Sequence, residues 1–501
     1  MKGLKQLIYE QKEIRDIVKA VDNKNESQLV TGLSGSARAL FASVIEGATK
    51  RPILLVTHNL YHAQKLYDDL LSLMDSDRLF LYPADELISS ELSVSSPELR
   101  GQRVEALEFL LSKQPGIVVV PVSGFRKLLP PVSLWEKYNV KLVQGEEIDP
   151  EELKANLVTM GYTMSGMVNT PGEFSVRGGI IDVYPITEEY PIRIELFDTE
   201  IDSLRYFDVE TQRSQNKIEE FQILPATEIL LEQAYFPDIV KRLEKGLAGT
   251  LKNMKNQEDK EALVDNIEVD LELLRSGIKP DLFFKYIGLA YPDPASLLDY
   301  ASKNAMLVLD EFARIQETDE RLEREEAEWQ TETLSRLETV RDVELGHHFR
   351  NLIEESRAPK IYLTLFQKTQ GSLRVSKTTN FVYKQMQQFH GQMSVLQTET
   401  KSWNKNNYAV VILAPSIERA EKMQQTLSDY DMESVILKRE EDVPKFGVIQ
   451  FVIGSFQNGF ELPLSKVAII SETELFNKRA KKNQKNARSY RMQNEFKVIQ
   501  N

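Results

Sequence analysis

The sequence predicts an α/β fold in which parallel sheets are covered by helices and a small, mainly antiparallel α+β unit interrupts the chain. Three observations lead there. Short all-apolar runs such as residues 52–57 and 117–121 alternate with stretches of helical apolar spacing. Between residues 168 and 208 the rhythm changes to closely spaced strands, with tight turns at Arg177-Gly178-Gly179 and Phe197-Asp198-Thr199. From about residue 360 the α/β alternation returns, which makes a second domain of the first kind.

In order, residues 28–31 read as a strand, followed by a glycine-containing turn and a helix near 37–47. Residues 59–74 place Leu60, Ala63, Leu66 and Leu70 on one helical stripe. Residues 151–160 form a short helix ahead of the strand-rich unit. Helices return after about 230, and the strand at 305–309 runs into Asp310-Glu311. Residues 314–344, dense in Glu and Arg, read as a long solvent-exposed helix that acts as a salt-bridged spacer. Strands at 360–366, 408–414, 448–453 and 467–470, with a helix at 416–427, make the last α/β domain. The expected organisation is therefore a first α/β domain over 1–140 and 225–352, the inserted α+β domain over 141–224, and a separate α/β domain over 353–476. A basic, apolar-poor linker over 477–501 follows.

Composition removes several function classes. The 501 residues carry a formal net charge of -14, so a general nucleic-acid coat is not expected and intrinsic DNA binding should be slight. There is no cysteine, which excludes disulfides, thiolate zinc sites and cysteine nucleophiles and fits a reducing cytoplasm. The N-terminus lacks the apolar core of a signal peptide, and no apolar run reaches the roughly 18 residues that span a bilayer. A soluble, cytoplasmic protein with no membrane association is the expectation.

The turn after the first strand lies where a phosphate-binding loop belongs. Its residues depart from the working pattern G-x-x-x-x-G-K-[ST]. Gly32 holds the first position and Gly35 lies inside the loop, but Ala37 replaces the second glycine, Arg38 the lysine and Ala39 the hydroxyl that holds magnesium. The methyl of Ala37 crowds the phosphate approach. Arg38 keeps a charge that suits an anion. Asp310-Glu311 after an apolar strand resembles the acidic pair of helicase-type ATPases, a relic without a competent phosphate loop. His58 and His62 share helical spacing but have no carboxylate in zinc-motif spacing, and no nucleophile elbow is present. No catalytic residue and no metal site is assigned.

Two segments are specific enough to carry a resemblance: VNTPGEFSVRGGIIDVYP at 168–185 and PIRIELFDTEIDSLR at 191–205. Both look like the domain shared by the excision-repair subunit UvrB and the transcription-repair coupling factors. FDVETQRS at 207–214, GFELP at 459–463 and SETELF at 471–476 are similar to the coupling-factor family in particular. Two departures separate the chain from UvrB: the degraded phosphate loop, and no tyrosine-rich, damage-probing hairpin after Tyr82-Pro83-Ala84-Asp85-Glu86.

The resemblance implies a degenerate helicase-like domain with an inserted UvrA-binding domain. It implies a non-catalytic module that mimics UvrB, binds UvrA and links stalled RNA polymerase to nucleotide excision repair. Contacts to RNA polymerase and DNA, and the ATP and magnesium of a translocase motor, would belong to a part of the family's chain that follows the basic linker. This stretch itself would need no cofactor. The alternative is a UvrB-like ATPase or helicase subunit that binds damaged DNA, and Ala37-Arg38-Ala39 argue against it. Along residues 192–197, Ile192, Ile194 and Leu196 should face a core while Arg193, Glu195 and Phe197 share the other face. In the family, the positions of Arg177, Arg193 and Phe197 lie on the UvrA-binding surface, and Glu195 sits among them.

Overall fold

Alternate residues of three apolar strands feed two different cores. In the computed structural model, which describes residues 1–22, 27–84, 96–366 and 375–476, strands β2 (Pro52–Thr57), β4 (Gly116–Pro121) and β13 (Met306–Asp310) are buried along their whole length. Leu54, Val56, Val118, Val120, Leu307 and Leu309 face one core, while Ile53, Leu55, Ile117, Val119, Met306 and Val308 face the other. A sheet covered on both faces needs this unbroken apolarity, because the period-2 pleat sends successive side chains to opposite sides. With β1 (Ser27–Thr31), β3 (Leu79–Leu81), β14 (Lys360–Thr364) and β15 (Lys377–Asn380), these strands make an all-parallel sheet of order β15-β1-β14-β13-β2-β4-β3.

The insertion leaves and re-enters through an antiparallel ribbon of β5 (Val140–Val143) and β12 (Glu220–Ile223). Between them lie a helix, Pro150–Thr159, capped by Asp149, and a six-stranded sheet. Its strands are β6 (Thr163–Met164), β7 (Glu173–Arg177), β8 (Ile180–Val183), β9 (Ile192–Phe197), β10 (Glu200–Phe207) and β11 (Ser214–Ile218). Spatial order follows chain order, and every pairing but β6–β7 is antiparallel. The inner face, through Phe174, Ile181, Ile192, Ile194 and Leu204, joins one core of the parallel sheet.

The other core is shared with the last domain and with two N-terminal helices, α1 (Lys2–Tyr9) and α2 (Lys12–Asp22). That domain has strands β16 (Lys384–Gln385), β17 (Ala409–Ala414), β18 (Ser434–Ile436), β19 (Val448–Ile453), β20 (Phe460–Leu462) and β21 (Val467–Ile470), in the order β16-β20-β21-β17-β19-β18. Glu474 is buried there. It accepts the Gly459 amide at 3.0 Å, the Ser471 amide at 2.8 Å and the Ser471 hydroxyl. The GFELP and SETELF segments are thus tied to each other inside the domain.

Two expectations are corrected. The boundary at 353 is too early: β14 and β15 pair with β1 and β13, so the first sheet extends to residue 380. An apolar strand shows that a sheet exists but not which sheet it joins. The charged helix covers Phe312–Ser335 and is docked, not a solvated spacer. Ile315 and Leu322 are buried in it, and the buried Arg126 guanidinium meets Asp319 at 3.0 Å and Glu326 at 2.9 Å. The charge density that suggested exposure includes the partners of a buried cation. The segment after Tyr82-Pro83-Ala84, from Asp85 to residue 95, and the basic linker at 477–501 lie outside the described residues.

Asp69 in helix α4, counted after α3 (Ser36–Thr49) and covering Leu60–Leu70, closes the joint between the first and last domains by accepting the Gln457 amide at 2.8 Å. Burial pushes its carboxyl up to about 6, against the smaller opposing effects of that amide and of Ser36. A carboxyl raised in the folded state stabilises below its unfolded pKa, and that contribution is lost as pH rises through about 6. Asp69→Asn should therefore match the parent near pH 4 and be more stable near pH 7.5, by up to about 3 kcal/mol. Urea denaturation at the two pH values measures this. Equal differences at both would place the cost of Asp69 elsewhere.

Candidate functional site

Two places on the molecule carry chemistry. The first is the carboxyl edge of the parallel sheet, where open α/β sheets hold their ligands. Strand β1 ends in Gly32-Leu33-Ser34-Gly35 and α3 follows. The backbone at Gly35, φ 52° and ψ -137°, is one that a side chain disfavours. The first-turn amides of α3 bond back to the loop: Ala37 donates to the Ser34 carbonyl at 3.2 Å and Arg38 to the Gly35 carbonyl at 3.0 Å. Ala37 and Ala39 are buried in the helix packing. The Phe381 carbonyl lies so close to Gly32 that a Cβ there would come within 1.9 Å of it.

Arg38 fills the space between loop and strand. Its Nε donates to the Leu33 carbonyl at 2.8 Å and Nη1 to Asp310 Oδ1 at 2.8 Å, while Nη2 pairs with Glu311. Asp310 Oδ2 meets His62 Nε2 at 2.7 Å, and Glu311 also accepts the Leu365 amide at 3.0 Å. Burial alone would raise the Asp310 carboxyl, but Arg38, then His62, outweigh it and hold it below the ordinary carboxylate value. His58 lies beside His62 with ring centroids 4.9 Å apart, and burial, then His62, pushes it down to about 4. The acidic pair expected to be a relic is thus paired with the arginine of the degraded loop, which is itself buried and engaged through all three of its nitrogens. Among the described residues no group of three or more His, Asp or Glu is arranged to hold a metal ion.

The second place is the outer face of the inserted sheet. Ile192 and Ile194 are buried and Leu196 is partly buried, whereas Phe197 is 78% exposed at the start of the β9–β10 turn. Arg177 and Arg193 converge on one carboxylate, Asp182, which is fully buried on β8. Arg193 forks onto it, Nε to Oδ1 at 2.8 Å and Nη2 to Oδ2 at 2.9 Å, and Arg177 Nη2 reaches Oδ2 at 2.6 Å. Strand register sets this up, because Asp182 lies directly opposite Arg193 and one diagonal step from Arg177. The Phe207 ring lies 4.5 Å from the Arg193 guanidinium carbon. Glu195 is engaged within the sheet, with Ser203 Oγ at 2.5 Å and Arg205 Nη2 at 3.3 Å.

Of the four expected interface residues, then, Arg177 and Arg193 are brought together, Phe197 projects separately, and Glu195 pairs with a neighbouring strand. Asp182 was missed. Its signal was legible as a lone carboxylate in Ile180-Ile181-Asp182-Val183, on the strand face opposite to Ile181 and Val183.

Fold and site define a helicase-like α/β chain in which Arg38 fills the carboxyl edge of the parallel sheet and whose inserted domain carries two arginines on one buried carboxylate and a separate projecting aromatic. Residues 140–229 match the UvrB interaction domain family, and residues 403–475 match the family described as MFD, D3 domain. The chain is homologous to the transcription-repair-coupling factors over 96% of its length. It is 42% identical over 482 residues to that of Bacillus subtilis (strain 168) and 34% identical over 498 residues to that of Staphylococcus aureus (strain MRSA252). It spans 41% of the length of each of these relatives.

Arg38→Ala should be strongly destabilising, because it leaves the carboxylates of Asp310 and Glu311 without their shared cation. Breaking one partner from a buried pair costs about 3–5 kcal/mol. Pairing Arg38→Met with Asp310→Asn removes charge on both sides and should restore more than half of the loss. Chemical denaturation of the three proteins checks this, and a double variant no better than Arg38→Ala would contradict it.

Proposed function

We propose that this chain is a recruitment module of a transcription-repair coupling factor, which binds UvrA through the outer face of the six-stranded sheet and so links stalled RNA polymerase to nucleotide excision repair. The observation that carries the reading is Phe197: a large aromatic, 78% exposed, on the same strand as Arg193 in a domain of the UvrB interaction family. Aromatics and arginines dominate binding hot spots, and an exposed ring on a rigid strand end loses little conformational freedom on docking. The Arg38 closure supports a chain that contributes binding and not nucleotide hydrolysis.

Phe197→Ala is the clean test of the face, since the ring has no buried role. Binding to purified UvrA, followed by calorimetric titration, should weaken at least about tenfold, the equivalent of 1.4 kcal/mol, with the thermal melt unchanged. Undiminished binding would remove this face from the interface. Arg193→Ala is a poorer test, because it also strips a buried carboxylate of its main partner.

Steady-state ATPase assays, with and without duplex DNA, should show no turnover. Turnover abolished by Asp310→Ala would favour a UvrB-like ATPase instead.

A further inference from the structure

Arg193 is largely buried and Arg177 about half exposed, yet both depend on the same carboxylate. A fully buried carboxylate needs a charged partner. Arg193 alone meets that need, with both oxygens of Asp182 in its fork. The additional bond from Arg177 is not required for burial. Its effect is to hold a long side chain, otherwise free to sample many rotamers, against the sheet. Arg177 makes no second polar contact among the described residues, so its Nε and Nη1 stay open to a partner. Arg193 is fixed more tightly, between the Asp182 fork, the Phe207 ring and the Gln212 carbonyl at 3.5 Å from Nη1.

We propose that Asp182 is a positioning residue for the recruitment surface: it orients Arg177 and Arg193 before docking, so that one open guanidinium edge meets carboxylates of the partner. This rests on the reading of the face given above. The cluster carries two positive charges and one negative, and its remaining +1 suits an acidic patch. A partner that meets two ordered guanidiniums does not bear the ordering cost of free ones.

The sign of the effect separates positioning from charge. Asp182→Asn keeps the shape of the side chain and makes the cluster more positive by one unit. Charge attraction alone would tighten binding to UvrA. Positioning predicts that Asp182→Asn weakens binding about tenfold, and that the loss falls below about threefold in an Arg177→Ala background, because two residues acting as one unit are not additive. Damage to the fold would persist in full in that background. Binding of Asp182→Asn as tight as the parent's, or a loss that Arg177→Ala leaves unchanged, overturns the proposal.

If Asp182→Asn fails to fold, the unmodified chain decides the matter through the nitrogen-15 resonances of its arginine side chains. Guanidinium rotation of Arg177 slowed to the level of Arg193 in free protein supports positioning, and rotation as fast as in an exposed arginine overturns it. Should Phe197→Ala bind undiminished, the recruitment reading fails, and the rotation of Arg177 still tells whether Asp182 orders it.

Discussion

The buried guanidinium of Arg38 fills the carboxyl edge of the parallel sheet, the edge where open α/β sheets hold their ligands. In phosphate-binding loops the acidic strand end is balanced by a metal and the lysine by phosphate, both brought in by the ligand. Here Arg38 lies against Asp310 and Glu311, and His62 takes the remaining Asp310 oxygen. Burying such a set is costly unless every charge is paired and every lone pair occupied. The Leu33 carbonyl on Arg38 and the Leu365 amide on Glu311 add to that pairing. The longer, planar Arg reaches two carboxylates at once, which the point charge of Lys does less well.

With the edge closed, neighbouring segments can lie directly over it. The Phe381 carbonyl rests on Gly32, the Asn458 amide donates to Ser36 Oγ at 3.2 Å, and Gln457 reaches Asp69 and the Lys65 carbonyl. One face of the parallel sheet is shared with the last domain and the other with the inner face of the inserted sheet. The outer face of that inserted sheet carries the ordered arginines and Phe197. Interior interactions thus occupy the carboxyl edge of the parallel sheet, while the inserted domain keeps an exposed aromatic and a half-exposed arginine on its outer face.

Much of this was legible in the residues. The apolar runs at β2, β4 and β13 announced buried parallel strands, and period-2 alternation placed Ile192 and Ile194 inward and Phe197 outward. The departures at Ala37, Arg38 and Ala39 marked the loop as differing from the working phosphate-binding pattern. What stayed hidden depended on contacts between distant positions. Nothing local marks β14 as a neighbour of β1, or Arg126 as the cation behind the acidity of the Phe312–Ser335 helix. Arg38 read as free to meet an anion because Asp310 lies 272 residues away. Asp182 was passed over for a related reason: alternation gives the face of a strand, but only sheet register shows which two arginines share a carboxylate.

The central claim is that recruitment runs through the inserted sheet while the nucleotide edge stays closed. Hydrogen exchange of the whole chain, with and without UvrA, tests it most directly. New protection should concentrate in residues 173–207, around the Arg177 turn and the Phe197 turn. Exchange over residues 32–38 and 306–311 should stay slow and unchanged, with or without added ATP. Protection that appears instead along the closed edge, or that follows ATP there, would contradict it.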